Sequence, residues 1–557
     1  MGEVPKGQGS SPLLFSFGWR GLRVRGNAGR LRKNPFLPIR RVSFFVRKKS
    51  INRRKRSGRM LEKLDDDDKL YLSAVAAVQK EDYSNAIEIL SSLVEKNPSD
   101  FDSLLLLAEC YEKVDDPIQA LLALKAAQKL EPQNAKLLVN LGIIYSRLFL
   151  HELTTHVLKQ ALELGEVEEN THSSLAFSYF RLNNMDEAVK ICKKGLLVNA
   201  SWNGLRYFLG MTYLYIKNTP AAITIAEELK TTNDPRAPQL IKIIEEDDPE
   251  KDKINKIQAK HEARDQIHEL EDRMKKGNLK TKDAVTILTS ALQLDDELAI
   301  AYTMLGKMLD DCGLIDEGLS LHKRAIELDP ALSVAYNNLG YVLQVKRNYL
   351  EAIQAYEMAL QLDPNKVQAH NSIGCLYDNL GNYEKGLSHF LEALKIDPSR
   401  IITIQNLGWV YTALGRFEEA LEVYKKYADL YPGEIEPNLG SAKIYREMGR
   451  YDIAANEYLL ALQINPESLQ CWLELGECYA EMGEKEKLQE VFQKLFSLFP
   501  RSPEEMFKMA EVMEKIDTET SAKYWRNYLS VAEVYPLPPD QVAYAKERLA
   551  SLLGPTN

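Results

Sequence analysis

Chemistry at a protein site needs side chains that donate, accept or ligate, held close together, and few sets in this sequence qualify. His261 and His268 lie seven residues apart, a spacing that returns them to one face of a helix after two turns. Their neighbours are charged and no third ligand stands near in sequence, so they read as solvated histidines rather than a metal pair. Cys471 and Cys478 repeat that spacing around Trp472 and Leu475; apolar flanks of this kind read as buried structural thiols. The chain has no phosphate-cradling Gly-rich loop and no Gly-x-Ser-x-Gly elbow. Carboxylates are spread along the whole chain, so no pair stands out as general acid and base. The expectation is a non-enzymatic protein with no catalytic residue, no metal and no cofactor.

The 557 residues, 45% apolar and 27% charged, are too many for one compact core, which stops growing at roughly 250–300 residues. No apolar run approaches the ~18–20 residues of a membrane helix. Six cysteines do not make a disulfide framework, which points to a reducing, cytoplasmic setting. The net charge of −9 hides an asymmetry. Residues 1–59 hold 17 Lys and Arg against the single acid Glu3; residues 60–557 hold 54 bases against 79 acids. The basic arm reads three ways: a translated leader ahead of a natural start at Met60, an organelle-targeting segment, or a basic tail for nucleic acid through Arg53, Arg54, Lys55 and Arg56. The acidic body repels phosphate, so nucleic acid is not expected beyond the arm.

What the chain offers instead of a reactive set is a period. Pro330, Pro364, Pro398, Pro432, Pro466 and Pro500 are spaced by 34 residues every time, and Pro98 and Pro132 share the spacing. With this proline at position 32, twelve units result. Five start at 67, 101, 135, 169 and 203; seven start at 299, 333, 367, 401, 435, 469 and 503. Position 8 is Gly or Ala in all twelve, and position 20 is in ten, with Thr154 and Leu488 the exceptions. Each unit reads as two helices joined by a turn. Small residues at 8 and 20 let the helices approach, large residues at 7, 11 and 24 fill in beside them, and proline stops the second. One such hairpin cannot bury its apolar faces alone, but stacked neighbours can.

The pattern resembles the tetratricopeptide repeat. In one unit Tyr336, Leu339, Gly340, Ala352, Tyr356, Ala359 and Pro364 match the family's strong positions, with Leu343 in place of the Tyr at position 11. The resemblance implies an all-α, right-handed superhelical solenoid in two arrays. Residues 60–244 form the first array and 299–536 the second. Between them, 245–298 is a charged insert with a degenerate repeat, hinged near Pro249, on which Ala263, Ile267, Leu270 and Met274 share one helix face. Residues 537–557 supply a capping helix and tail. Unit 135–168 departs most from the pattern, with Phe149 near its turn and Thr154 at position 20, and predicts a looser or bent joint.

The resemblance also places the site. In the family the first helices line a concave face, and positions 2, 5, 6 and 9 meet the ligand. Here position 6 carries Asn140, Asn338 and Asn406, which in the family bond the backbone of an extended peptide. Position 9 carries Phe177, Met211, Tyr341 and Trp409, and position 5 carries Tyr71 and Tyr207. Aromatic residues of this kind are common binding anchors. The family's chaperone clamp needs Lys at 5 and Asn at 9 of one unit, Asn at 6 of the next, and Lys at 2 and Arg at 6 of a third. Around Asn338 the flanking units carry Thr303, Lys307, Gln368 and Ser372 instead, so no clamp is expected. The reading is a scaffold or adaptor for extended peptide segments of protein partners. The alternative is an accessory, substrate-recruiting subunit of an enzyme such as a glycosyltransferase, or of a secretion or assembly machine. Co-purification of a catalytic protein separates the two.

Overall fold

A unit supplies a turn and small contact points, in many cases with a capping side chain and a proline stop, and these dictate a pair of antiparallel helices. The computed structural model describes residues 66–245, 249–277, 279–498, 503–514, 518–532 and 537–553, and every regular element among them is a helix. The arm at 1–59, Met60, Pro500 and Pro536 lie outside the described residues, as does 246–248 of the expected hinge.

Asp82, Asp116, Asn184, Asn218 and Asn382 each accept the amide three residues on and close the start of a second helix, worth ~1 kcal/mol apiece. One residue of the turn takes a left-handed backbone. It is glycine at 313, 381, 415, 449 and 483, where the missing Cβ removes the strain. Phe149 holds the same place at φ 60°, as do Glu81, Asp115, Asn183, Lys217 and Arg347 in other units, a conformation that costs a non-glycine residue roughly 1–2 kcal/mol.

The second helix stops two residues short of the proline, at Leu328, Leu362, Ile396, Leu430 and Ile464. Asp363, just before Pro364, is extended at φ −141° and ψ 90°, because the proline ring excludes the helical region from its predecessor. Asp295 and Asn199 take nearly the same shape with no proline after them. The proline therefore reinforces a bend that stacking makes in any case. Position 8 is small because position 24 fills the space against it. A Cβ on Gly340 would stand 2.8 Å from the Tyr356 ring, and on Gly374 or Gly408 2.6 Å from Phe390 or Tyr424.

The helices gather into two compact units. One is Leu158–Asp247; the other joins Lys63–Val157 to Asp248–Asn557. In the first, Glu169 accepts the amides of Gly204 and Leu205 and so caps the helix of the following repeat. Gly195 makes room there for Leu205 and the His172 ring.

In the second unit the helix Pro249–Lys275 buries Ala263, Ile267 and Leu270 along one face and leaves Met274 exposed. His261 and His268 are exposed on this helix, whereas Cys471 and Cys478 are fully buried. The helix Pro539–Leu553 closes over a ring cluster of Phe507, Trp525, Tyr528 and Tyr544.

The joint expected to be loose at 135–168 is tightly packed. Leu148, Phe149 and Leu150 are buried, whereas the matching turns at 80–82, 346–348 and 380–382 are exposed. The Phe149 ring meets Tyr302 edge to face at 6.3 Å. Tyr145 donates its hydroxyl proton to Glu317, 2.8 Å away, and Lys125 pairs with the same carboxylate at 3.0 Å. The departure from the repeat pattern thus marks a contact between turns far apart in sequence.

Candidate binding groove

In consecutive units the first helices Ser333–Val345, Val367–Asn379 and Ile401–Ala413 lie side by side. Their positions 5, 6 and 9 form rows across the stack. The position-9 row is Tyr341, Cys375 and Trp409. Tyr341 and Trp409 are 40% and 49% exposed, large apolar surfaces facing water. Each is braced from one side: Lys307 Nζ stands 5.7 Å from the Tyr341 ring centre, and Tyr383 meets Trp409 edge to face at 5.7 Å. Braced rings lose little further freedom when a ligand packs on them.

Between them runs a row of carboxamides. Asn371 Oδ1 accepts from Thr403 Oγ1 at 2.9 Å and from Asn406 Nδ2 at 3.3 Å. Asn406 Nδ2 also lies 3.1 Å from Cys375 Sγ. The donor end of Asn406 is therefore spent on the neighbouring repeat, and its Oδ1 is left to accept an amide proton. Asn337 Nδ2 reaches Asn338 Oδ1 at 3.5 Å, while Asn337 Oδ1 is buried without a hydrogen-bond partner. Burial pushes the Cys375 thiol up to about 11, so it stays a neutral group on the groove floor.

Beyond Trp409 the surface turns charged. Lys443, Arg446, Glu447, Glu474, Glu477 and Glu481 line a cleft of about 450 Å3. Arg446 bridges Glu474 and Glu477. Burial works to raise the Glu474 carboxyl, but hydrogen bonds from Tyr458 and Gln470, with Lys443 and Arg446 nearby, hold it below the usual range.

The other residues that sequence singled out divide. Tyr71 and Tyr207 are buried, 6% and 5% exposed; their rings fill the helix packing and offer no face to a ligand. Asn140 is half-buried. Phe177 and Met211 are half-buried in the Leu158–Asp247 unit, where Phe177 meets Phe208 at 6.2 Å with Arg181 over its ring. Asn338, Tyr341, Asn406 and Trp409 are the four that one stretch of stacked helices brings together. Sequence reasoning passed over Asn371 and Cys375. The signal for Asn371 was present, since position 5 is a carboxamide in three consecutive units: Asn337, Asn371 and Gln405.

The same unit holds a histidine pair. His370 Nδ1 and His389 Nδ1 are 3.2 Å apart, with ring centres separated by 5.4 Å. That separation nearly equals the nitrogen distance plus two ring radii, so the nitrogens face each other head-on. One proton shared along that line suits a hydrogen bond, while a metal needs the two lone pairs to converge at an angle. Burial lowers both pKa values from 6.5, and at His389 the neighbouring His370 lowers it further. With folded-state pKa values depressed, this pair contributes stability above pH 6.5 that is lost as pH falls through the lower folded values. Thermal melts between pH 7.5 and 5 should fall more steeply for the natural chain than for His370→Gln, His389→Gln; parallel curves would show that the pair has no such role.

Models of the tetratricopeptide repeat match residues 77–137, 333–366, 369–433 and 439–487. The match at 333–366 has the limits of one 34-residue unit read from the prolines. The chain is a tetratricopeptide-repeat protein. A stretch of 117 residues is 34% identical to DnaJ homolog subfamily C member 3 of Gallus gallus, covering 21% of this chain and 23% of that one. The chain thus spans less than a quarter of this relative's length. Among solved structures, YrrB, described as a TPR protein with an unusual peptide-binding site, is 22% identical over 33% of this chain and 95% of its own, with a TM-score of 0.30. The APC/C hetero-tetramer Cut9-Hcn1 is 15% identical over 88% of this chain and 97% of that chain, with a TM-score of 0.32. The role that goes with tetratricopeptide arrays is that of a protein-interaction scaffold. No helix among the described residues is long and apolar enough to cross a membrane.

Proposed function

We propose that this tetratricopeptide protein is a non-catalytic adaptor that holds an extended segment of a protein partner along the groove from Tyr341 to Trp409. The observation that carries the reading is the pairing of two half-exposed, braced rings with a row of carboxamides between them. Rings bind apolar side chains of almost any shape, and carboxamides bond a peptide backbone whatever its sequence. The neutral stretch suits a segment with apolar side chains; the charged cleft at Arg446 bounds it on one side.

The experiment compares two baits, the natural chain and Asn338→Ala, Tyr341→Ala, Asn406→Ala, Trp409→Ala, each used to capture partners from a native lysate. Truncating exposed groove residues should leave the melting temperature within a few degrees while partner affinity falls more than tenfold. Partners retained equally by both baits would reject the groove.

A further inference from the structure

We propose that the turn at 148–150 and the cluster around Glu317 form a latch, a contact that opens and closes as a unit while the repeats on either side stay folded. The first observation is local. Phe149 holds a left-handed backbone that glycine takes in five other units and that Glu81, Asp115, Asn183, Lys217 and Arg347 take in five more. The other five non-glycine residues are exposed, whereas Phe149 is buried, so what sets it apart is the surroundings that cover it. Here the surroundings are Tyr302, 3% exposed, on the helix Ala299–Asp311.

The second observation is the polar part of the contact. Glu317, 2% exposed, takes its hydrogen bond from Tyr145 and its ion pair from Lys125, both on helices that precede it by more than 170 residues. Lys282 Nζ reaches the carbonyl of Val114 across the same contact. Apart from Lys125, which lies mid-helix, these groups stand at turn edges or near helix ends. Leu121 and Leu124 on one side and Leu305 and Leu309 on the other are fully buried.

The balance favours reversibility. A buried ion pair loses in desolvation much of what it gains in attraction, so the polar part fixes where the turns dock more than how tightly. The latch sits beside the groove. Lys307, on the helix that carries Tyr302, braces Tyr341, and Lys346 pairs with Asp316, next to Glu317. The repeat at 299–332 thus takes part in both contacts.

Cys312 is a native reporter. It is half-buried at the turn of that repeat, where burial, with Asp311 and Asp116, raises the pKa of its thiol. The test labels the full chain with N-ethylmaleimide and follows each cysteine by peptide mapping. Phe149→Gly relieves the backbone strain while deleting the docking ring, so the unit keeps its fold. Glu317→Gln keeps the shape and removes the charge. The expected result is labelling of Cys312 at least tenfold faster in Phe149→Gly and faster in Glu317→Gln, with Cys110, Cys471 and Cys478 still protected and circular dichroism unchanged. An unchanged Cys312 rate in both variants would overturn the latch. So would a rise shared by Cys110 and Cys478, because the contact would then be part of one cooperative core.

Discussion

Phe390→Ala should be among the most destabilising single substitutions in the second array, costing about 3–5 kcal/mol. Phe390 is fully buried, and its ring lies where a Cβ on Gly374 would stand 2.6 Å away. Removing the ring leaves a cavity that the helix backbones cannot close, because their separation is set by the neighbouring repeats. In a stacked array stability is a sum of repeat and neighbour terms, so the loss falls on the repeat at 367–400 and on both its interfaces. Urea denaturation followed by circular dichroism would show a lower midpoint, or two transitions where there was one. Trp409→Ala makes the control. That ring is half exposed, so its loss should cost stability little. Equal effects from the two substitutions would contradict the division into core and groove aromatics.

His322→Phe comes second, and its effect should depend on Asp310. The His322 and Asp310 side chains are both fully buried and meet at 2.9 Å. Burial pushes the Asp310 carboxyl up and the His322 contact pulls it back. Asp310 Oδ1 and His322 Nδ1 have no other hydrogen-bond partner. Gly306 and Gly318 clear the space: a Cβ on Gly306 would stand 2.7 Å from the imidazole, and one on Gly318 would strike the Asp310 carboxylate. Other units fill position 24 with Tyr356, Phe390, Tyr424 or Tyr458, so the ring of His322→Phe should fit. What remains is a buried carboxylate without its partner, at a cost of about 3–5 kcal/mol. Adding Asp310→Leu should recover most of it. A double-mutant cycle by chemical denaturation should give a coupling of about 2 kcal/mol or more; additive costs would show that the two side chains do not act as a pair.

What sequence made legible follows from what a period can carry. Small residues at 8 and 20, aromatic residues at 24 and proline at 32 recur because each repeat meets its neighbour in the same way. Hence the helices, their stops and the choice of Tyr341 and Trp409 as outward-facing residues could be read in advance. Tyr71 and Tyr207 show the limit: position 5 is half-buried in one repeat and fully covered in another, depending on what stacks beside it. His370 with His389 and Asp310 with His322 went unseen because pairing within a hairpin depends on rotamer and depth, which spacing does not encode. Phe149 was visible as an irregularity, but its meaning lay in Tyr302, outside the repeat's own period.

The Tyr145–Glu317 hydrogen bond also bears on how the chain assembles. Its partners are 172 residues apart, about five times the repeat length. Loop-closure entropy grows as 1.5 RT ln n, so closing this span costs about 1.4 kcal/mol more than closing one repeat. Local stacking repays its entropy at once, whereas this contact is rewarded only after both sets of repeats exist. Assembly therefore has an order: repeats nucleate and spread along the chain, and the long-range closure comes last.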